Sequence, residues 1–260
     1  MSEHLRIKQH GAVRVLTIDR PASKNALHGP LRAALRAEMG AVDHDENVAA
    51  VVLTAVDPVF SAGVDFKQLQ RGPDETGNAL DLTPAAAIRA VRKPVICAVN
   101  GVCVSGALEV ALSCSFIVAS ERAKFADTHA MLGVVPTWGL TALLPRAVGV
   151  RKAREMSISG AFVDAPEALR VGLVNHVVPH EQLLPFTLDL AGQIPATPAV
   201  VEILELYTTG EDLSLAAALA LETSRSIGRK WDLAAFTAAG SRTAARQRGR
   251  ESPTAEGISQ

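Results

Sequence analysis

Cysteine is scarce and odd in number: Cys97, Cys103 and Cys114 are the only three in 260 residues. Their spacing matches neither a zinc site nor a secreted disulfide framework, so they are expected to act as small buried hydrophobes. Cys103, in the loop before a helix, is the one candidate for reactivity. Excess charge is lacking too. Lys plus Arg number 26 against 27 Asp plus Glu, a net charge of −1, and aromatics make up only 4%. No basic stripe interleaved with rings exists, so nucleic acid is not an expected partner. No apolar run approaches a membrane span, and the opening Met-Ser-Glu-His-Leu-Arg-Ile-Lys-Gln-His has no signal-peptide core. A soluble cytoplasmic protein without a membrane partner is the expectation.

Several catalytic signatures are missing. Neither Gly-x-Gly-x-x-Gly after a strand nor Gly-x4-Gly-Lys-Ser/Thr occurs, which removes the phosphate cradles of dinucleotide-binding and P-loop proteins. The seven histidines are scattered without His-Glu-x-x-His, so no metal is expected. A serine hydrolase would have to use Ser105, Asp127 and His129. Its Gly-x-Ser-x-Gly elbow is broken by Cys103, and Asp127 stands too close in sequence to His129 for the two to be expected to pair.

What is present reads as one large α/β domain or a core with an appendage. Two strand-like runs, Leu5 to Gln9 and Val13 to Asp19, meet at His10-Gly11 as a hairpin. Leu31, Leu35, Met39 and Val42 mark one helix face, and Ala49 to Val56 is an apolar strand suited to burial on both sides. Arg71 to Thr83 is polar, either an entrance lid or a plain surface loop. Thr83-Pro84 opens a short helix, Pro94 to Val99 is a second buried strand, and Ser115 to Ser120 a third. Thr137 can cap a helix over Trp138 to Val148, and the pattern beyond Pro198 is helical, ending in a helix over about Trp231 to Gly249 and a polar tail. The basic cluster Arg242, Arg246, Arg248 and Arg250 suits a solvated face, a neighbouring subunit or a phosphate.

Chemistry concentrates between Asn100 and Cys114. A strand ends at Asn100-Gly101 and an apolar helix begins near Ser105-Gly106, with Glu109 on its second turn. Glu109 is one place too late for a capping box with Ser105, and its neighbours at three and four residues include no cation. A lone Glu is ordinarily exposed, but Ala-Leu-Glu-Val-Ala-Leu is apolar nearly all round. Burial would disfavour its charged form, which is how a general acid or base is poised. Gly106 and the unpaired N–H groups of the helix start would welcome an oxyanion. The earlier strand also leads through a Ser- and Gly-containing loop, Ser61 to Val64, into a helix start, so two such ends could converge on one ligand atom.

Five motifs in order, Arg20-Pro21-x3-Asn25-Ala26-Leu27, Phe60-Ser-Ala-Gly-Val-Asp65, Lys93-Pro-Val-Ile-x-Ala-Val-Asn-Gly101, Ser105-Gly-Ala-Leu-Glu-Val-Ala111 and Leu132-Gly-Val-Val-Pro136, resemble the enoyl-CoA hydratase/isomerase (crotonase) superfamily. The resemblance covers roughly residues 12 to 180. It implies an α/β fold, a spiral of ββα units over residues 1–195, with a helical C-terminal region, 196–260, used to assemble trimers or paired trimers. The implied substrate is an acyl-CoA thioester; coenzyme A belongs to that substrate, and no cofactor is implied. Carried over by motif, the oxyanion hole falls on the amides of Val64 and Gly106, and the CoA contacts on Lys24, Ala26, Ala62, Asp65 and Lys67, though Asp65 could equally cap the following helix.

The resemblance also exposes departures. Hydratases of this family carry two glutamates; the first maps onto Glu109, but the second falls on His129. An imidazole titrates near pH ~6.5 and could donate the second proton, or His129 could be a pocket-edge residue without a role. Thr137 and Leu140 stand where glycines are usual, with Trp138 between them, which would reshape the acyl pocket. The implied activity is hydration through an oxyanion-stabilised enolate with Glu109 as principal acid/base. Isomerisation, thioester hydrolysis and non-catalytic acyl-CoA binding are the alternatives.

Overall fold

The computed structural model describes residues 3–69 and 83–227. Nearly all of the polar stretch from Arg71, the helix expected over 231–249, the four-arginine cluster and the tail lie outside them.

The chain opens with an antiparallel hairpin of β1 (Leu5–His10) and β2 (Val13–Ile18), turned at Gly11 with φ +56°. Then come α1 (Gly29–His44), β3 (Ala50–Ala55), α2 (Phe66–Leu69), α3 (Pro84–Ala90), β4 (Val95–Val99), β5 (Val102–Val104), α4 (Gly106–Leu112), β6 (Phe116–Ser120) and β7 (Lys124–Ala126). The rest is α5 (Leu140–Val148), α6 (Val150–Ser159), β8 (Val163–Asp164), α7 (Ala165–Arg170), β9 (His176–Val178), α8 (Leu183–Gly192), α9 (Pro198–Gly210) and α10 (Leu215–Ser226). The main sheet runs β1-β2-β3-β4-β6-β9, parallel from β2 onward, and β5-β7-β8 make a small second sheet.

Alternation along β2 sends Leu16 and Ile18 to one hydrophobic cluster and Val13 and Val15 to the other. The first cluster contains Leu31, Leu35, Met39 and Val42 of α1, none more than 1% exposed, as their helical spacing predicts. The second contains Leu183 and Ala191 of α8. Sandwiched between, β3 and β4 are buried at every residue, which is why both read as unbroken apolar runs. Thr83 caps α3 as expected, its Oγ1 accepting from the Ala86 N–H at 3.0 Å.

Two local expectations are corrected. Cys103 lies not in a loop but in β5, fully buried, and burial pushes its thiol well above the ordinary range, so it has no thiolate to react with. Thr137 does not cap the next helix: α5 starts at Leu140 with Gly139, φ +116°, at its N-cap position and no side-chain cap. The Leu140 amide that such a cap could satisfy is engaged elsewhere, as shown below.

The chain divides into two compact units, Met1–Glu205 and Leu206–Gln260. In the second, Ser214 caps α10 through the Ala217 N–H at 3.3 Å. Neither α9 nor α10 has a buried residue.

Leu35 is 0% exposed in the α1 face. Leu35→Ala should cost about 2–5 kcal/mol, read as a lower urea midpoint at unchanged slope.

Candidate active site

Two turns meet because two glycines let them. Gly63 has φ +86°, and a Cβ there would stand 3.0 Å from the Val104 carbonyl oxygen and 3.3 Å from the Gly106 nitrogen. A Cβ on Gly106 would in turn meet Val64 Cγ2 at 3.0 Å and the Val64 nitrogen at 3.5 Å. The two turns are fixed by Leu27 N–H donating to Gly63 O at 2.8 Å, Ser61 N–H to Val102 O at 3.0 Å and Ser105 N–H to Ala126 O at 3.1 Å. Ser105 sits at φ 51°, an unfavourable region for a residue with a Cβ. Its hydroxyl lies 2.5 Å from Thr128 Oγ1, which ties the strained residue to the chain after β7. Among the described residues, neither the Val64 nor the Gly106 amide has a hydrogen-bond acceptor. The structure thus brings together the two amides named from sequence as neighbouring unpaired donors, the arrangement that stabilises an oxyanion.

Glu109 is 1% exposed, buried as its apolar helix predicts. Its Oε1 accepts from the backbone N–H groups of Trp138, at 2.7 Å, and Leu140, at 3.2 Å. The Leu140 N–H is one that a Thr137 cap could have served, so the Trp138–Leu140 turn is built around a carboxylate rather than around Thr137. Burial pushes the Glu109 carboxyl above its ordinary value, and the two amides and His129 only partly oppose it. The other oxygen, Oε2, lies 3.7 Å from His129 Nε2, so the two candidate acid/base groups are neighbours. Arg89 from α3 holds the same turn from behind, donating to Trp138 O at 3.0 Å and Ser113 Oγ at 2.8 Å.

One sequence inference is overturned here. Asp127 and His129 do pair: His129 Nδ1 is 2.6 Å from Asp127 Oδ1, and the His129 backbone N–H donates to the same oxygen at 3.1 Å. Two residues of separation suffice because the chain turns at the end of β7, and the carboxylate folds over its own i+2 amide. A hydrolase triad still does not form, since the Ser105 hydroxyl is engaged by Thr128.

The predicted thioester contacts are also collected. Lys24, Ala26, Ala62, Asp65 and Lys67 all line one open cavity of about 690 Å³, together with Val64, Arg20, His28 and Phe66. Asp65 does cap, its Oδ1 accepting from the Lys67 N–H at 3.1 Å, and its Oδ2 also holds Arg20 Nη1 at 2.6 Å. His28 was not visible in the sequence as a site residue, because an N-cap position gives no hint of a binding role. Burial, with Arg20 next, lowers its pKa to about 4, so it is a neutral ring on the cavity wall, its Nδ1 without a partner among the described residues. Among the described residues no cluster of three or more His, Cys, Asp or Glu could hold a metal ion.

Comparison with known proteins bears on this geometry. The family model for enoyl-CoA hydratase/isomerase matches residues 8–226. A probable enoyl-CoA hydratase of Rhizobium meliloti is 37% identical over 223 residues, 85% of this chain and 87% of that one. The enoyl-CoA hydratase of Mycobacterium tuberculosis superposes with TM-score 0.73 at 41% identity, covering 86% of this chain and 97% of the other. That of Bacillus anthracis reaches TM-score 0.83 at 28% identity, with 90% and 96% covered.

The raised pKa of Glu109 sets a stability signature. A carboxyl whose folded pKa is raised from 4.5 binds its proton more tightly when folded. It therefore supports the fold below that value, and the support is lost as pH rises through the folded pKa. Glu109→Gln keeps the acceptor oxygen and removes the titration. The variant should melt higher relative to wild type as pH rises from 4.5 through the raised value at which the wild-type carboxyl ionises. Calorimetry showing a gap independent of pH would contradict the buried-carboxyl account.

Proposed function

The chain belongs to the enoyl-CoA hydratase/isomerase family and carries out crotonase-type hydration of acyl-CoA thioesters, a reaction in which, we propose, Glu109 and His129 divide the proton transfers. The observation that carries this division is the 3.7 Å approach of His129 Nε2 to Glu109 Oε2 beside two unpaired amides. Glu109 takes a proton from water as the water oxygen bonds to the β-carbon. Electrons of the C=C bond move toward the thioester oxygen, and the enolate so formed is held by the Val64 and Gly106 N–H groups. Such a donor is worth about 2.7–4 kcal/mol in other enzymes. His129, protonated, then delivers a proton from Nε2 to the α-carbon, giving the β-hydroxyacyl thioester. The proton on Glu109 returns to Nε2 across the short gap, and both groups are reset with one water added.

The finer assignments belong to the same proposal. Lys24, Ala26, Ala62, Asp65 and Lys67 receive the CoA portion; their shared cavity supports this, as do the two lysines within it. Trp138 shapes the acyl side, since its Cζ3 lies 3.3 Å from where a Gly106 Cβ would stand. Assembly as a homotrimer or dimer of trimers is supported by α9 and α10, which expose Ile203, Tyr207, Leu215 and Leu219 at 52%, 73%, 77% and 55%. A cytoplasmic location stands as part of the proposal, and no described helix is long and apolar enough to cross a membrane. Isomerisation and thioester hydrolysis would draw on the same oxyanion hole, and the same assay reads them through their products.

Purified protein offered short, long and branched enoyl-CoAs should hydrate at least one of them. Glu109→Gln should lower turnover by about 10²–10⁴, and His129→Ala by at least about tenfold. Because the base must be ionised and burial raises its pKa, the acid limb of the rate profile should lie above the ordinary carboxylate range. Wild-type turnover in His129→Ala would leave Glu109 as sole acid–base group. Tight thioester binding without turnover in the native protein would make it a binder. For assembly, Leu215→Glu with Leu219→Glu should reduce the mass seen by light scattering; an unchanged mass would remove α10 from the interface.

A further inference from the structure

Asp127 has no part in the chemistry above, yet its environment is as specific as that of Glu109. Its side chain is 1% exposed at the end of β7. Oδ1 receives both the His129 ring, at 2.6 Å, and the His129 backbone N–H, at 3.1 Å. Ser157, on α6, is a further group that favours the charged form of the carboxyl. Burial alone would favour the neutral acid, but these bonds outweigh it and hold the carboxyl below its ordinary value, so it stays an anion.

An ionised carboxylate only accepts hydrogen bonds, so the imidazole nitrogen facing it has to carry the hydrogen. With Nδ1–H committed to Asp127, the neutral ring has its lone pair on Nε2, and Nε2 is the atom 3.7 Å from Glu109 Oε2. We propose that Asp127 is a positioning residue for the hydration reaction, fixing the Nδ1–H form of His129 so that Nε2 alone exchanges protons with Glu109 and the substrate α-carbon. This rests on the reading of His129 as the proton donor. If the ring were free to turn or to shift its hydrogen, part of its neutral population would offer Glu109 an N–H where a lone pair is needed to take the returning proton. The cycle would then stall after protonation of the substrate.

The wild-type protein supplies the first test. Nitrogen-15 NMR of the imidazoles, with the His129 signals assigned by their loss in His129→Ala, should show the uncharged ring with hydrogen on Nδ1 alone. Asp127→Asn keeps the size and an acceptor for the His129 backbone N–H, so the turn is preserved, but its amide can also donate to Nδ1. In that variant the ring should become a mixture of tautomers, and kcat should fall at least about tenfold while KM stays within about threefold. A wild-type ring with hydrogen on Nε2 would overturn the proposal, as would wild-type kcat in Asp127→Asn. A change confined to melting temperature, with tautomer and kcat retained, would overturn it too and make Asp127 a purely structural tie. Should His129→Ala keep full turnover, the donor reading of His129 fails, while the tautomer measurement still reports whether Asp127 governs the ring.

Discussion

Glu109 is a carboxylate taken out of water, and the structure around it is arranged to make that tolerable. Two backbone N–H groups of the Trp138–Leu140 turn supply the hydrogen bonds that a buried charge demands. That requirement delays α5 to Leu140, leaves Gly139 at a positive φ, and draws in Arg89 to hold the turn against α3 and α4. The compensation is incomplete, since burial still raises the carboxyl's pKa. Incomplete compensation is what gives a carboxylate the basicity to take a proton from water.

The sequence displayed the scaffold well where the governing forces are local. The alternation of β2, the apolar runs of β3 and β4, the α1 face at Leu31, Leu35, Met39 and Val42, and the Thr83 cap each depend on a few neighbouring residues. The second sheet was not legible: β5, β7 and β8 have two or three residues each, too few for any period to show. At the site, Glu109 could be found because an acid on an apolar helix is a visible conflict, and Gly106 because glycine marks close backbone approach, whereas Val64 came only from the family motif. Asp127 escaped because nearness in sequence argued against a pairing that a turn makes easy. His28 escaped because an N-cap position gives no sign of a ring facing a cavity, and because Lys67, across that cavity, comes from a distant part of the chain.

A histidine rather than a second carboxyl beside Glu109 sets the charge balance of the site. Two glutamates at this distance would repel, and one would be driven to hold a proton. Here a ring lies between Glu109 and Asp127, able to carry a positive charge with an anion on either side. The unpaired Val64 and Gly106 amides add positive potential without titrating. The site thus combines fixed donors that do not respond to pH with side chains that do.

The bonds that Glu109 receives come from main-chain nitrogens, and main-chain nitrogens are indifferent to what grows from the adjacent Cα. Positions 138 and 140 can therefore change identity, proline excepted, without depriving the carboxylate of its partners. The indole at 138 nevertheless forms a wall beside Gly106. One turn thus does two separate things: its backbone is committed to the Glu109 carboxyl, and its side chains, Trp138 and Leu140, pack into the main hydrophobic core at 4% and 0% exposure. A substitution there is therefore felt first as a change in core packing, while the hydrogen bonds to Glu109 persist.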